Sequence, residues 1–118
     1  MSPASVTIYH NARCSNSRGA LALLQDRGIA PQIVDYLQHP LDARQLAQLI
    51  DQLGVPVRDV MRSKEAIYQE FDLANPKWSD AQLIDHIAAH PILLNRPIVV
   101  TSKGARLCRP PELALEIL

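Results

Sequence analysis

The sequence predicts an α/β fold, and three observations carry that prediction. A short apolar run, Val6-Thr7-Ile8-Tyr9-His10, leads straight into a helical pattern through Ser17, Ala20, Leu21, Leu23 and Leu24. The block from Asp42 to His90 reads as helical. After Pro91 the pattern turns to strand, giving the order βα, β, helices, ββα. A length of 118 residues suits one domain, and 47% hydrophobic content can fill a core.

The first helix is expected to end at Gly28, a residue suited to the left-handed position just past a helix. A second strand, roughly Gln32 to Tyr36, follows. Parallel pairing of the two strands would put the loop around Cys14 at the carboxyl end of the first, where open α/β sheets hold their ligands. The next helix starts with Asp42 as N-cap, Gln45 as capping-box partner and Leu41 placed to staple onto Leu46, and it should end at Gly54. Ser79 and Gln82 repeat the device, with Trp78 placed to pack against Leu83. Between them, Pro56 to Pro76 mixes short helical hints with turns. Ser102-Lys103-Gly104 joins Pro97–Thr101 to Ala105–Cys108 as a β-hairpin, and Pro110-Pro111-Glu112 opens a final helix.

Twelve basic and twelve acidic residues cancel, so no general attraction to nucleic acid or to an anionic membrane is expected. Anion binding must then come from local arginines, and nine of the twelve cations are Arg. The apolar runs fall short of the ~20 residues that span a bilayer, and Met-Ser-Pro-Ala-Ser lacks a basic n-region and an apolar h-region. The expected location is cytoplasmic. The two cysteines, Cys14 and Cys108, are too few and too far apart for a disulfide scaffold or a zinc site, so reduced thiols and no metal are expected.

Cys14 sits at the mouth of the first helix, where unpaired N–H groups and partial positive charge favour thiolate over thiol. Arg13, Arg18 and His10 can add positive potential, Asn11 and Ser17 can hydrogen-bond, and no acidic residue occurs between Met1 and Gln25. Free cysteines usually fill apolar space, but Asn-Ala-Arg before and Ser-Asn-Ser-Arg after make this one too polar for an interior plug. Cys108, in an apolar strand, fits the structural role. Arg96 and Arg109 each precede a proline, which disfavours α geometry and lets them project from strand ends. Arg62 lies at the exit of a short helix. Taken singly, each of the three reads as a solvated surface arginine. Together with Cys14 they suggest a pocket in which a thiolate attacks a tetrahedral oxyanion. The phosphatase signature would need an arginine at position 20, which is Ala20, and a C-x-x-C dithiol would need cysteine at Ser17.

The segments Ile8-Tyr9-His10-Asn11, Cys14, Ser17-Arg18, Gln82-Leu83-Ile84-Asp85, His90-Pro91-Ile92-Leu93, Asn95–Thr101 and Arg106–Pro110 closely resemble the glutaredoxin-coupled ArsC arsenate reductases, over essentially the whole chain. The resemblance implies a thioredoxin-like fold: a mixed four-stranded sheet in a single domain, 1–118, with a helical insertion at about 42–90. It implies that Cys14 attacks arsenate, that glutathione displaces oxygen from the adduct as co-substrate, and that glutaredoxin resolves the product with release of arsenite. No bound cofactor is implied. Arg62, Arg96 and Arg109 match the oxyanion-binding arginines, His10 a residue that tunes the thiolate, and Pro97 the cis-proline that faces the cysteine, with Asn11 and Ser17 in support. Ser15-Asn16 stands where the best-known members carry Gly-Thr, and the chain ends earlier than theirs. Two other readings stay open: a glutathione-dependent thiol transferase, and a non-enzymatic regulator of the Spx kind that binds RNA polymerase.

Overall fold

A computed structural model describes residues 5–118. The chain divides into two compact units, one built from the residues up to His39 together with Arg96–Leu118, the other from Pro40–Asn95.

The first unit is a four-stranded sheet in the order β2-β1-β3-β4, with β1 at Thr7–His10, β2 at Gln32–Asp35, β3 at Ile98–Thr101 and β4 at Gly104–Leu107. β1 runs parallel to β2 (Ile8 opposite Ile33) and antiparallel to β3 (Ile8 opposite Val99), and β3 and β4 form the hairpin, Ile98 opposite Leu107. The sheet is therefore mixed, as the thioredoxin-like arrangement requires. Alternation along β1 sends Ile8 and His10 inward, because successive strand residues face opposite sides. Helix α1, Ser15–Asp26, lays Ala20 and Leu24 on that side, where they join Val6, Ile8, Val99, Cys108, Ala114 and Ile117 in one core.

Helix α1 stops in a Schellman turn. Gly28, at φ 74°, donates its N–H to the Gln25 carbonyl at 2.9 Å, and Ile29 donates to Leu24 at 3.0 Å. Within α1, Gly19 permits the close approach of Pro111: a Cβ on Gly19 would stand 3.0 Å from the proline Cγ. The predicted final helix is a 3-10 helix, Pro111–Ile117, rather than an α-helix. It is tied to the hairpin where Thr101 Oγ1 donates to the Ile117 carbonyl and Lys103 Nζ to that of Leu118.

The second unit contains α2, Ala43–Leu53; a 3-10 turn, Val57–Val60; α3, Ala66–Glu70; α4, Asp80–Ala89; and a second 3-10 turn, Pro91–Leu93. Both predicted capping boxes are present: Asp42 accepts from the Gln45 N–H at 2.8 Å and Ser79 from the Gln82 N–H at 3.2 Å, with each glutamine side chain returning to its cap. α2 ends at Gly54 in the left-handed conformation. Leu46, Leu49, Leu53, Leu83 and Ile87 supply the buried faces of α2 and α4. The ring of Trp78 stands edge-on to His86 at 4.8 Å, and its Nε1 donates to the Asp72 carbonyl. Among the described residues no helix is long and apolar enough to cross a membrane.

Candidate active site

The loop between β1 and α1 is shaped by Asn11. Its carbonyl accepts the Cys14 N–H at 3.0 Å, and its side-chain Oδ1 accepts the Arg13 N–H at 2.9 Å, which turns the chain from strand into helix. Cys14 is the N-cap of α1, with extended backbone (φ −93°, ψ 123°) and a half-buried side chain. Burial alone would push its pKa up. The opposing influences prevail and hold it below the usual thiol value: the backbone N–H groups of Ser17 and Asn16 at the helix start and the guanidinium groups of Arg96 and Arg109 favour the charged sulfur. Cys14 is thus a thiol biased toward thiolate, as its place at a helix start predicts.

Both arginines flank the β3–β4 hairpin. The register that sets Ile98 opposite Leu107, carried two residues outward, brings Arg96 opposite Arg109. Cys108 N–H reaches the Pro97 carbonyl at 2.8 Å and closes this end of the ladder. Arg109 Nη1 donates to the Arg96 carbonyl at 2.9 Å and stands 3.7 Å from Cys14 Sγ. The peptide bonds before Pro97 and Pro110 are both cis.

Behind the thiol lies a buried polar triad. Ser17 is 0% exposed, and its Oγ accepts the Asn11 N–H at 3.0 Å and lies 2.6 Å from His10 Nδ1. Burial lowers the His10 pKa, with Arg18 adding to that effect and Asp35 opposing it. His10 is therefore neutral at neutral pH and adds no positive potential, contrary to the expectation from sequence. With a neutral ring protonated on Nε2, Ser17 donates its O–H to Nδ1 and fixes the start of α1 against β1. Arg18 braces the loop from outside through a 2.9 Å bond from Nη1 to the Ala12 carbonyl.

Cys14, Arg96, Arg109, His10, Asn11, Ser17 and Pro97 all belong to the first unit, and Arg62 to the second. There the Arg62 N–H donates to the Leu93 carbonyl at 2.8 Å and its Nε to Glu65 at 3.1 Å. Cys108 is fully buried, and its pKa is pushed up to about 11, chiefly by burial. It stays a thiol. Among the described residues no cluster of three or more His, Cys, Asp or Glu could hold a metal ion. The clasp of Arg109 on the Arg96 carbonyl went unread in the sequence. Its signal was present as two Arg-Pro pairs bracketing one hairpin.

The ArsC family profile matches residues 9–117. The chain belongs to the ArsC family. Arsenate reductase of Escherichia coli K12 is 46% identical over 114 residues, spanning 97% of this chain and 81% of that protein. A second protein of the same strain, described as "Uncharacterized protein YfgD", is also 46% identical over 114 residues and covers 96% of both chains. The solved structure of "Arsenate reductase from Vibrio cholerae" superposes with a TM-score of 0.96 at 48% identity, covering 99% of this chain and all of that one. The ArsC chain thus matches its relatives across both units, including every segment that carries the thiol and its arginines.

Proposed function

We propose that this ArsC protein reduces arsenate to arsenite, with Cys14 as nucleophile and glutathione and glutaredoxin as reductants. The observation that carries the reading is a lone thiol at a helix start, with a guanidinium 3.7 Å from its sulfur and its pKa held below the ordinary thiol value. A thiolate and an oxyanion repel. Cations fixed beside the sulfur offset that repulsion and stabilise the charge that builds on the oxyanion as the S–As bond forms.

In this reading Arg96 and Arg109 bind the oxyanion and Arg62 supplies a third guanidinium, while His10, Asn11, Ser17 and Pro97 position the loop that carries the thiol. Cys14 displaces an oxygen of arsenate, which leaves as water, and glutathione displaces a second. The glutaredoxin thiolate then attacks the glutathione sulfur and forms a mixed disulfide with it; the electron pair of the broken As–S bond stays on arsenic, which becomes As(III), and water releases arsenite from Cys14. External thiols are required because Cys108, buried and held as a thiol, is no resolving group. A cytoplasmic setting, where thiols are kept reduced, suits this dependence.

Arsenite production from arsenate in the presence of glutathione, glutaredoxin and a reducing supply is the test. Output no higher than that of Cys14→Ser would sink the proposal. A second reading, glutathione-dependent thiol transfer, draws on the same monothiol; disulfide reduction that survives replacement of Arg62, Arg96 and Arg109 would select it.

A further inference from the structure

We propose that Arg13 is the specificity residue for the reducing thiol: it binds a carboxylate of glutathione while the glutathione sulfur engages Cys14. This rests on the reading of Cys14 as a thiol resolved from outside the chain.

Three observations carry it. The Asn11 Oδ1 bond to the Arg13 N–H, at 2.9 Å, fixes the backbone of Arg13 in the loop, yet the residue is exposed and its guanidinium makes no hydrogen bond or ion pair with any described residue. Its neighbours are committed: Arg18 to the Ala12 carbonyl, Arg109 to the Arg96 carbonyl and the Cys14 sulfur. A packing role thus explains Arg18 but not Arg13. The first unit also carries seven basic residues against four acidic ones, a net charge of +3, in a chain whose total is zero.

The chemistry of the reductant matches this placement. Glutathione as a thiolate carries two carboxylates and one ammonium, and its carboxylates lie several bonds from its sulfur. A molecule whose sulfur meets Cys14 therefore sets its carboxylates at the rim of the site rather than beside the sulfur. Consecutive Cα atoms are about 3.8 Å apart, so the Arg13 stem starts one residue from the bond being made. A cation at the rim, on a backbone held in place, favours the charged thiol over a neutral one of equal nucleophilicity, and it does so through carboxylates that bear no reacting electrons.

The test uses the full chain with Cys14 held as a mixed disulfide with nitrothiobenzoate. The attacking thiolate bonds to Cys14 Sγ, the old S–S bond breaks, and nitrothiobenzoate leaves as the better thiolate; no other oxidant or reductant is needed. Its release is timed with glutathione and with neutral 2-mercaptoethanol, and the ratio of the two rates is the readout. Arg13→Ala should lower that ratio about threefold, the effect of one exposed ion pair, and Arg13→Glu about tenfold. In ~0.5 M salt, where the Debye length falls to roughly 4 Å, the ratio for the unaltered chain should drop toward that of Arg13→Ala. Arg27→Ala, at the far end of α1, should leave the ratio unchanged, and Arg13→Gln serves if Arg13→Ala fails to fold.

A ratio that Arg13→Ala and Arg13→Glu leave unmoved overturns the proposal. The assay contains no arsenate. Failure of the arsenate reading and failure of this one are therefore read separately.

Discussion

Replacing Arg109 with Ala removes a cation whose Nη1 lies 3.7 Å from Cys14 Sγ, and the electrostatic cost follows from that distance. Arg109 is exposed, so the water dielectric is the appropriate limit; it gives about 1.1 kcal/mol at this separation, or about a sixfold loss of thiolate at pH values below its midpoint. At ~0.15 M ionic strength, with a Debye length of roughly 8 Å, screening reduces this to about threefold. The sign is fixed. A positive group favours the charged form of a thiol, so its removal raises the pKa and moves the ionisation curve toward higher pH. Thiolate absorbance followed against pH reads the fraction directly, whereas alkylation rates understate it because a more basic thiolate is a better nucleophile. A midpoint that stays put, falls, or moves without any dependence on salt would refute the electrostatic role of Arg109.

With Cys108 pushed up to about 11, the native protein should show one fast-reacting thiol at pH 8, and the second only on denaturation; two fast thiols would contradict the burial. Ser17→Ala strands the buried Asn11 N–H and His10 Nδ1, so it should cost about 1–3 kcal/mol, read as a lower denaturant midpoint. His10, lowered in the folded state from an ordinary 6.5, takes up its proton later than in the unfolded chain. Stability should therefore decline as pH falls below 6.5 toward the folded value, and His10→Gln should remove that part of the slope. Asp42→Ala deletes a capping box and should cost about 1 kcal/mol, whereas Asp42→Ser should restore most of it.

Local chemistry made much of this molecule readable from its sequence. The capping boxes at Asp42 and Ser79, the stop at Gly28 and the place of Cys14 at a helix start each depend on residues within a few positions of one another. What escaped depends on three-dimensional burial. Ser17 lies in a polar run that reads as exposed, but the first turn of α1 faces the sheet and buries it completely. That same burial strips His10 of the charge its residue type suggested. The ion pair of Arg62 with Glu65, three residues on, was open to inspection in the sequence but competes with every other carboxylate for a surface arginine. The meeting of Arg96 and Arg109 needed the hairpin register, which the short turn at Ser102–Gly104 only outlines.

The nucleophile and its two guanidinium partners lie far apart along the sequence, Cys14 well ahead of Arg96 and Arg109. A ribosome delivers the cysteine before the arginines. Until β3 and β4 have zipped onto β1, Cys14 is an ordinary thiol, largely protonated and slow to react with passing oxidants. Activation of the sulfur is thus a reward of completed folding. The coupling also runs backward: because the folded chain prefers the thiolate, ionising Cys14 tightens the fold, and that contribution fades as pH falls through the folded-state pKa. Reactivity at Cys14 can therefore serve as a proofreading signal for a completed sheet.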